Sequence, residues 1–151
     1  MSGEITHQVV NAILCMTNAA IAEMKIRAKL NTSIDTWRKI AIWKTEMLFP
    51  WYGDYVGRLA NDLDSAAKFY KYGCHLVAVF QMPDDIKDLY ADLRNKEPSY
   101  HIILGLNNSL KIATAISELW SESDPSDLKI IKVGKMIVNE GFVEKTCEPC
   151  L

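Results

Sequence analysis

The chain has 151 residues and a formal net charge of −2, enough for about one domain with a real core, and it lacks the basic stripe that a phosphodiester backbone requires. Nucleic acid is therefore not an expected partner. The longest uninterrupted apolar runs fall well short of the roughly 20 residues that span a bilayer, and the first residues lack the basic and apolar regions of a secretory signal, so no transmembrane segment and a cytoplasmic location are expected. Of the four cysteines only Cys147 and Cys150 have C-x-x-C spacing, and a single such pair with no second one is a weak zinc signal. No cysteine stands fourth from the end, so prenylation of the chain itself is not expected.

In chain order the pattern is a succession of helices with short connections and almost no strand signal. From Ile5 to about Leu30, apolar residues recur at Ile5, Val9, Ile13, Met16, Ala20, Ile21 and Met24, the spacing of a helix with one buried face. Ser33 is an expected N-cap for a helix from about Ile34 to Phe49, stopping before Pro50. Val56, Leu59 and Ala60 suggest a short helix, and Asp62 to Ser65 a turn and cap. A long helix from about Ala66 follows, with Phe69, Leu76 and Val77 expected in the core. One helix, or two joined at Asn107-Asn108, runs from Ile102 to about Trp120. Asp127 is expected to cap a last helix that Gly141 stops. With no internal repeat and no low-complexity linker, a single domain over 1–151 is expected.

One stretch stands out. On a helix advancing about 100° per residue, Gln81, Asp84, Asp85, Asp88 and Asp92 fall within an arc of roughly 100°. Oxygen ligands so crowded suit a hard divalent cation such as Mg²⁺, which keeps several waters and bridges to substrate phosphates. The plainer alternative begins at Pro83, tolerated at the first position of a new helix, with Asp84 and Asp85 as an acidic, solvated first turn stabilised by the helix dipole.

Tyr72, Gly73, Leu76, Phe80, Gln81, Asp84, Asp85 and Asp88 match in register the pattern Y-G-x-x-L-G-x-A-F-Q-x-x-D-D-x-x-D. The segment thus resembles the second aspartate-rich region of the trans-isoprenyl diphosphate synthases, the polyprenyl synthase family. Val77 replaces the family's Gly, Val79 its Ala, and Pro83 is a further departure. Upstream, Trp37, Ile40, Ala41, Lys44, Thr45 and Leu48 resemble the family's aromatic-x-x-x-I-x-x-K-T segment. Downstream, Asp92 to Tyr100 resembles its D-x-x-x-x-G-K-x-T-x-P loop, with Lys96 in the lysine position and Asn95 where Gly is usual, Asn also being able to adopt a left-handed turn. The G-Q-x-x-D-like end of an earlier family helix is not kept in Ala22 to Ile26.

The resemblance covers about Asn31 to Lys145, which corresponds to the C-terminal half of the family's fold. It implies an all-α antiparallel helix bundle, part of an isoprenoid synthase class I-like fold. It implies Mg²⁺ on Asp84, Asp85 and Asp88, with Asp92 as a further candidate, and an isoprenoid diphosphate held by Lys44, Thr45, Gln81 and Lys96. An ammonium is a compact phosphate binder, which makes chemical sense of Lys44 and Lys96. The family's earlier D-D-x-x-D motif, which faces this one across a pocket, is absent from the chain. The expected activity is therefore a prenyltransferase component, completed in a homo- or hetero-oligomer by a chain carrying that motif or by a missing N-terminal half. Two alternatives stay open: a non-catalytic regulatory subunit of a full-length synthase, or a helical interaction protein with a vestigial site.

Overall fold

The computed structural model describes residues 2–44 and 48–142. Among them are eight helices and no strand: α1 (Ser2–Ile26), α2 (Ile34–Lys44), α3 (Leu48–Leu59), α4 (Leu63–Lys87), α5 (Leu89–Asn95), α6 (Tyr100–Asn108), α7 (Leu110–Ser121) and α8 (Asp127–Asn139). The all-α class is as expected. The chain divides into two compact units, Met1–Lys25 with Arg38–Gln81 and Ile26–Trp37 with Met82–Leu151, and the division falls inside α4. Cys147 and Cys150 lie outside the described residues.

In the first unit the expected face of α1 is not the buried one. Val9, Ile13, Ala20, Ile21 and Met24 are exposed, while Ala12 and Ala19 are buried and Met16 is half-buried. The helix is apolar almost all round, so the small residues, which allow close approach, occupy the packed side. By length and composition Val9–Ile26 is apolar enough to cross a membrane, with 11% of that window buried. The expectation of no such segment came from counting uninterrupted runs, which Asn11, Thr17, Asn18, Glu23 and Lys25 break without making the helix polar.

Pro50, expected just beyond a helix end at Phe49, is itself helical, within α3, and residues 45–47, between α2 and α3, lie outside the described residues. The link to α4 turns on Asn61, left-handed at φ 54°, and on Asp62, whose carboxylate accepts from the Ser65 amide at 3.0 Å and the Ser65 hydroxyl at 2.5 Å. The hydroxyl, then the amide, hold that carboxyl below the usual range. Two glycines let α3 lie on α4: a Cβ on Gly53 would stand 2.6 Å from the Phe69 carbonyl oxygen, and one on Gly57 would collide with the backbone of Ala66. Gly57→Ala should therefore lower stability by about 2 kcal/mol, because overpacking against backbone outweighs the roughly 1 kcal/mol gained in helix propensity. A urea midpoint that stays or rises in this variant would contradict the close crossing. Phe69, expected in the core, is instead 47% exposed.

The second unit has a continuous core of Leu89 and Leu93 from α5, Ile102 from α6, Ile112, Ile116, Leu119 and Trp120 from α7, and Ile130, Val133 and Ile137 from α8, with Phe142. The helical stretch from Ile102 to Trp120 proves to be two helices, broken at Ser109, whose hydroxyl accepts from the Ile112 amide at 3.4 Å. Ser126, not Asp127, is the N-cap residue of α8, and Gly141 follows it at φ 72°. Gly134 admits the ring of Tyr90 against α8, and the Trp120 indole donates to the Leu93 carbonyl at 3.0 Å. His101 is fully buried with no partner on either ring nitrogen.

Candidate functional site

Helix α4 passes through Pro83 and ends at Lys87, so the acids do not open a new helix. A proline inside a helix costs about 3 kcal/mol through one lost hydrogen bond and a clash with the preceding turn. What lies just beyond it offsets that cost. Asp85 is 6% exposed, and its Oδ2 accepts from the Trp37 indole at 3.0 Å and the Tyr100 amide at 2.9 Å. The rings of those two residues pack with centroids 4.8 Å apart. Asp85 thereby ties the end of α4 to the start of α2 and to the first turn of α6.

Asp84 and Asp88 differ from it. Asp84 is exposed and pairs with Lys87 at 3.0 Å, a solvated ion pair of little weight. Asp88 is exposed as well, sits one helical turn on with its amide 2.9 Å from the Asp84 carbonyl, and leads into α5 as its N-cap without a side-chain cap bond. Half-buried Asp92 lies farther along. Burial pushes its carboxyl up to about 7; Asp85, Glu97 and Asp88 add to this, while the buried Ser99 hydroxyl works against it.

Lys96 ends α5 in the left-handed conformation, φ 59°, at the position after the one expected to take it. Its ammonium donates to the carbonyls of Trp120 at 2.6 Å and Glu122 at 2.8 Å, which offsets the roughly 1–2 kcal/mol that a non-glycine residue incurs there. A phosphate would have to draw it away from the end of α7. Nearby the Arg27 guanidinium pairs with Glu97, and the Ala28 amide donates to the Lys96 carbonyl at 2.7 Å.

The remaining expected ligands belong to the other unit. Lys44, at the end of α2, pairs with Glu23 of α1 at 2.6 Å, and Gln81 is half-buried. Thr45 lies outside the described residues.

Among the described residues no three His, Cys, Asp or Glu side chains gather as a metal-holding group. Magnesium makes a smaller demand, since one or two carboxylates suffice when waters and substrate phosphates complete its octahedron. Asp84 and Asp88, exposed and one turn apart, fit that demand. Asp85 does not, because its carboxylate is buried under two donors. Pattern reading overlooked Trp37 and Tyr100 as the partners of Asp85. The available signal was an Asp-Asp pair on one helix, whose members point about 100° apart and cannot share one environment.

Two titratable groups of this unit, the buried His101 and the half-buried Asp92, give a pH test. Burial lowers His101 from 6.5 to about 4 and raises Asp92 from 3.8 to about 7. Below its ordinary pKa the unfolded chain protonates His101 while the folded chain does not. Acidification from 6.5 to about 4 therefore removes stability, by up to about 3 kcal/mol. For Asp92 the folded chain holds the extra proton between 3.8 and about 7, so its contribution is present in acid and lost as pH rises through about 7. The slopes oppose each other over most of this window. Asp92→Asn should unmask acid sensitivity, and His101→Phe should leave a protein that gains stability on acidification. Urea unfolding across pH checks both, and parallel profiles for the two variants would contradict the assignment.

The sequence matches no protein family profile and no curated relative. Solved structures do match. A heptaprenyl diphosphate synthase from Staphylococcus aureus superposes with a TM-score of 0.81 at 15% identity, over 95% of this chain and 48% of that one. A polyprenyl synthase from Roseobacter denitrificans gives 0.83 at 16% identity, over 95% and 50%. The fold is that of about half a polyprenyl synthase. The chain spans about half the length of the synthases it matches, and at these identities the likeness is one of fold.

Proposed function

We propose that the chain is one half of a magnesium-dependent prenyltransferase of the polyprenyl diphosphate synthase type, completed by a partner chain or by a segment of the same polypeptide. The observation that carries this reading is the superposition on half of each of two such synthases, over 95% of the chain. It coincides with a sequence that keeps Lys44, Gln81, Asp84, Asp85, Asp88 and Lys96 together, of which Asp84 and Asp88 are exposed rather than bracing the fold. In this reading Asp84 and Asp88 hold Mg²⁺, Asp85 fixes the backbone that carries them, and Lys44, Thr45 and Gln81 serve the substrate diphosphate. Lys96 joins them on release from the α7 carbonyls. Bound there, the ion would supply Lewis-acid neutralisation of a departing diphosphate.

The second reading, a non-catalytic subunit of a full-length synthase, is favoured by the engagement of Lys44 with Glu23 and of Lys96 with two carbonyls. Thermal shift with inorganic diphosphate separates the two. Carboxylates repel the free anion, so the catalytic reading expects stabilisation only when Mg²⁺ is present, about 2.7 kcal/mol at a hundredfold excess over Kd, and none in Asp84→Ala. Equal shifts with and without the metal, or none in either, would favour the non-catalytic subunit.

A further inference from the structure

We infer that the furrow between α3 and α4 seats an apolar helix from the half of the synthase fold that this chain does not contain. The inference rests on the half-synthase reading and adds the surface where the two halves meet.

The furrow lies wholly within the first unit, has a volume of about 290 Å³, and is lined by Phe49, Tyr52, Val56, Phe69, Tyr72 and Leu76 together with Gly53 and Gly73. Its large side chains are open to solvent: Tyr72 is 66% exposed, Tyr52 56% and Val56 54%. Phe80, also exposed, continues the surface by stacking on Phe49 at 6.3 Å between ring centroids, and it stands four residues before Asp84 in the sequence. A contiguous apolar surface of this kind marks an interaction site.

The chemistry narrows the occupant. No charged residue lines the furrow, whereas surfaces that lie on a bilayer combine apolar residues with lysine and arginine for the headgroups. An anionic ligand would find no counter-charge. The furrow lies where α3 and α4 approach closely at Gly53, and a groove between two helices accepts the apolar ridge of a third. The comparison supplies polypeptide for that place. Each matched synthase contains about as much polypeptide again as this chain covers, 48% and 50% of their lengths being matched.

A photo-reactive residue placed at Tyr72 in the protein expressed in its own cells tests this, with Leu110 of the second unit, 85% exposed, as the control position. The expected result is a crosslink from position 72, and none from position 110, to a peptide that aligns with the unmatched half of the two synthases, on a separate chain or on the same polypeptide. Val56→Asp should lower that crosslink at least about tenfold without changing the circular dichroism of the purified chain. Crosslinking to a second copy of this chain, to lipid, or to nothing would overturn the inference, as would a crosslink indifferent to Val56→Asp. The two readings fail separately. A crosslinked assembly that ignores magnesium and diphosphate keeps the docking surface and removes the catalytic reading, while magnesium-dependent diphosphate binding with no crosslink at position 72 removes the docking surface alone.

Discussion

Asp85→Ala should destabilise the protein by about 3–5 kcal/mol, while Asp84→Ala, one residue earlier, should change stability by less than about 0.5 kcal/mol. The Asp85 carboxylate is buried and accepts from the Trp37 indole and the Tyr100 amide at 3.0 and 2.9 Å. Its removal takes a charged acceptor from both buried donors, each such bond being worth about 1.5–3 kcal/mol. Asp84 has only a solvated pair with Lys87. Asp85→Asn, which keeps one acceptor oxygen, should recover part of the loss. Urea denaturation checks the series, and similar midpoints for Asp84→Ala and Asp85→Ala would contradict the division between a bracing and an exposed aspartate.

On the proposed half-synthase reading, the largest effect on activity is expected at Asp84 in the completed enzyme. Ionising an allylic diphosphate needs charge neutralisation on the departing group from several sides at once. Loss of one carboxylate that holds the neutralising ion should therefore lower turnover by at least about 10³-fold. Asp88→Ala should act in the same direction, since magnesium draws on one or two carboxylates and these two are exposed a turn apart. The readout is steady-state prenyl transfer by the assembled protein at saturating Mg²⁺. Neither variant should shift the urea midpoint appreciably, so a lost activity could not be laid to unfolding.

The succession of helices was legible because periodicity and caps report it directly: Ser33 accepts from the Thr36 amide at 3.1 Å, and Asp62 caps α4. What misled was local and has physical causes. A helix apolar all round, such as α1, does not announce which face packs, and size rather than hydropathy decided for Ala12 and Ala19. Pro83 reads as a boundary, yet α4 continues because Asp85 anchors the following turn. The left-handed residue is Lys96 rather than Asn95, since the lysine's own ammonium compensates the strain at the α7 carbonyls. In the candidate site, the pattern located the aspartates but treated them as equivalent. Only the position of Trp37 and Tyr100 separates Asp85 from Asp84 and Asp88, and a pairing across 48 residues of sequence leaves no periodic trace.

The most direct test of the half-synthase account is product formation from allylic and isopentenyl diphosphates with Mg²⁺, measured for the purified chain alone and for the chain together with the polypeptide that supplies the unmatched half of the fold. The account predicts prenyl products only from the combination, with the chain alone slower by at least about 10³-fold and Asp84→Ala abolishing the combined activity. Robust turnover by the 151-residue chain alone, or combined turnover indifferent to Asp84→Ala, would contradict it.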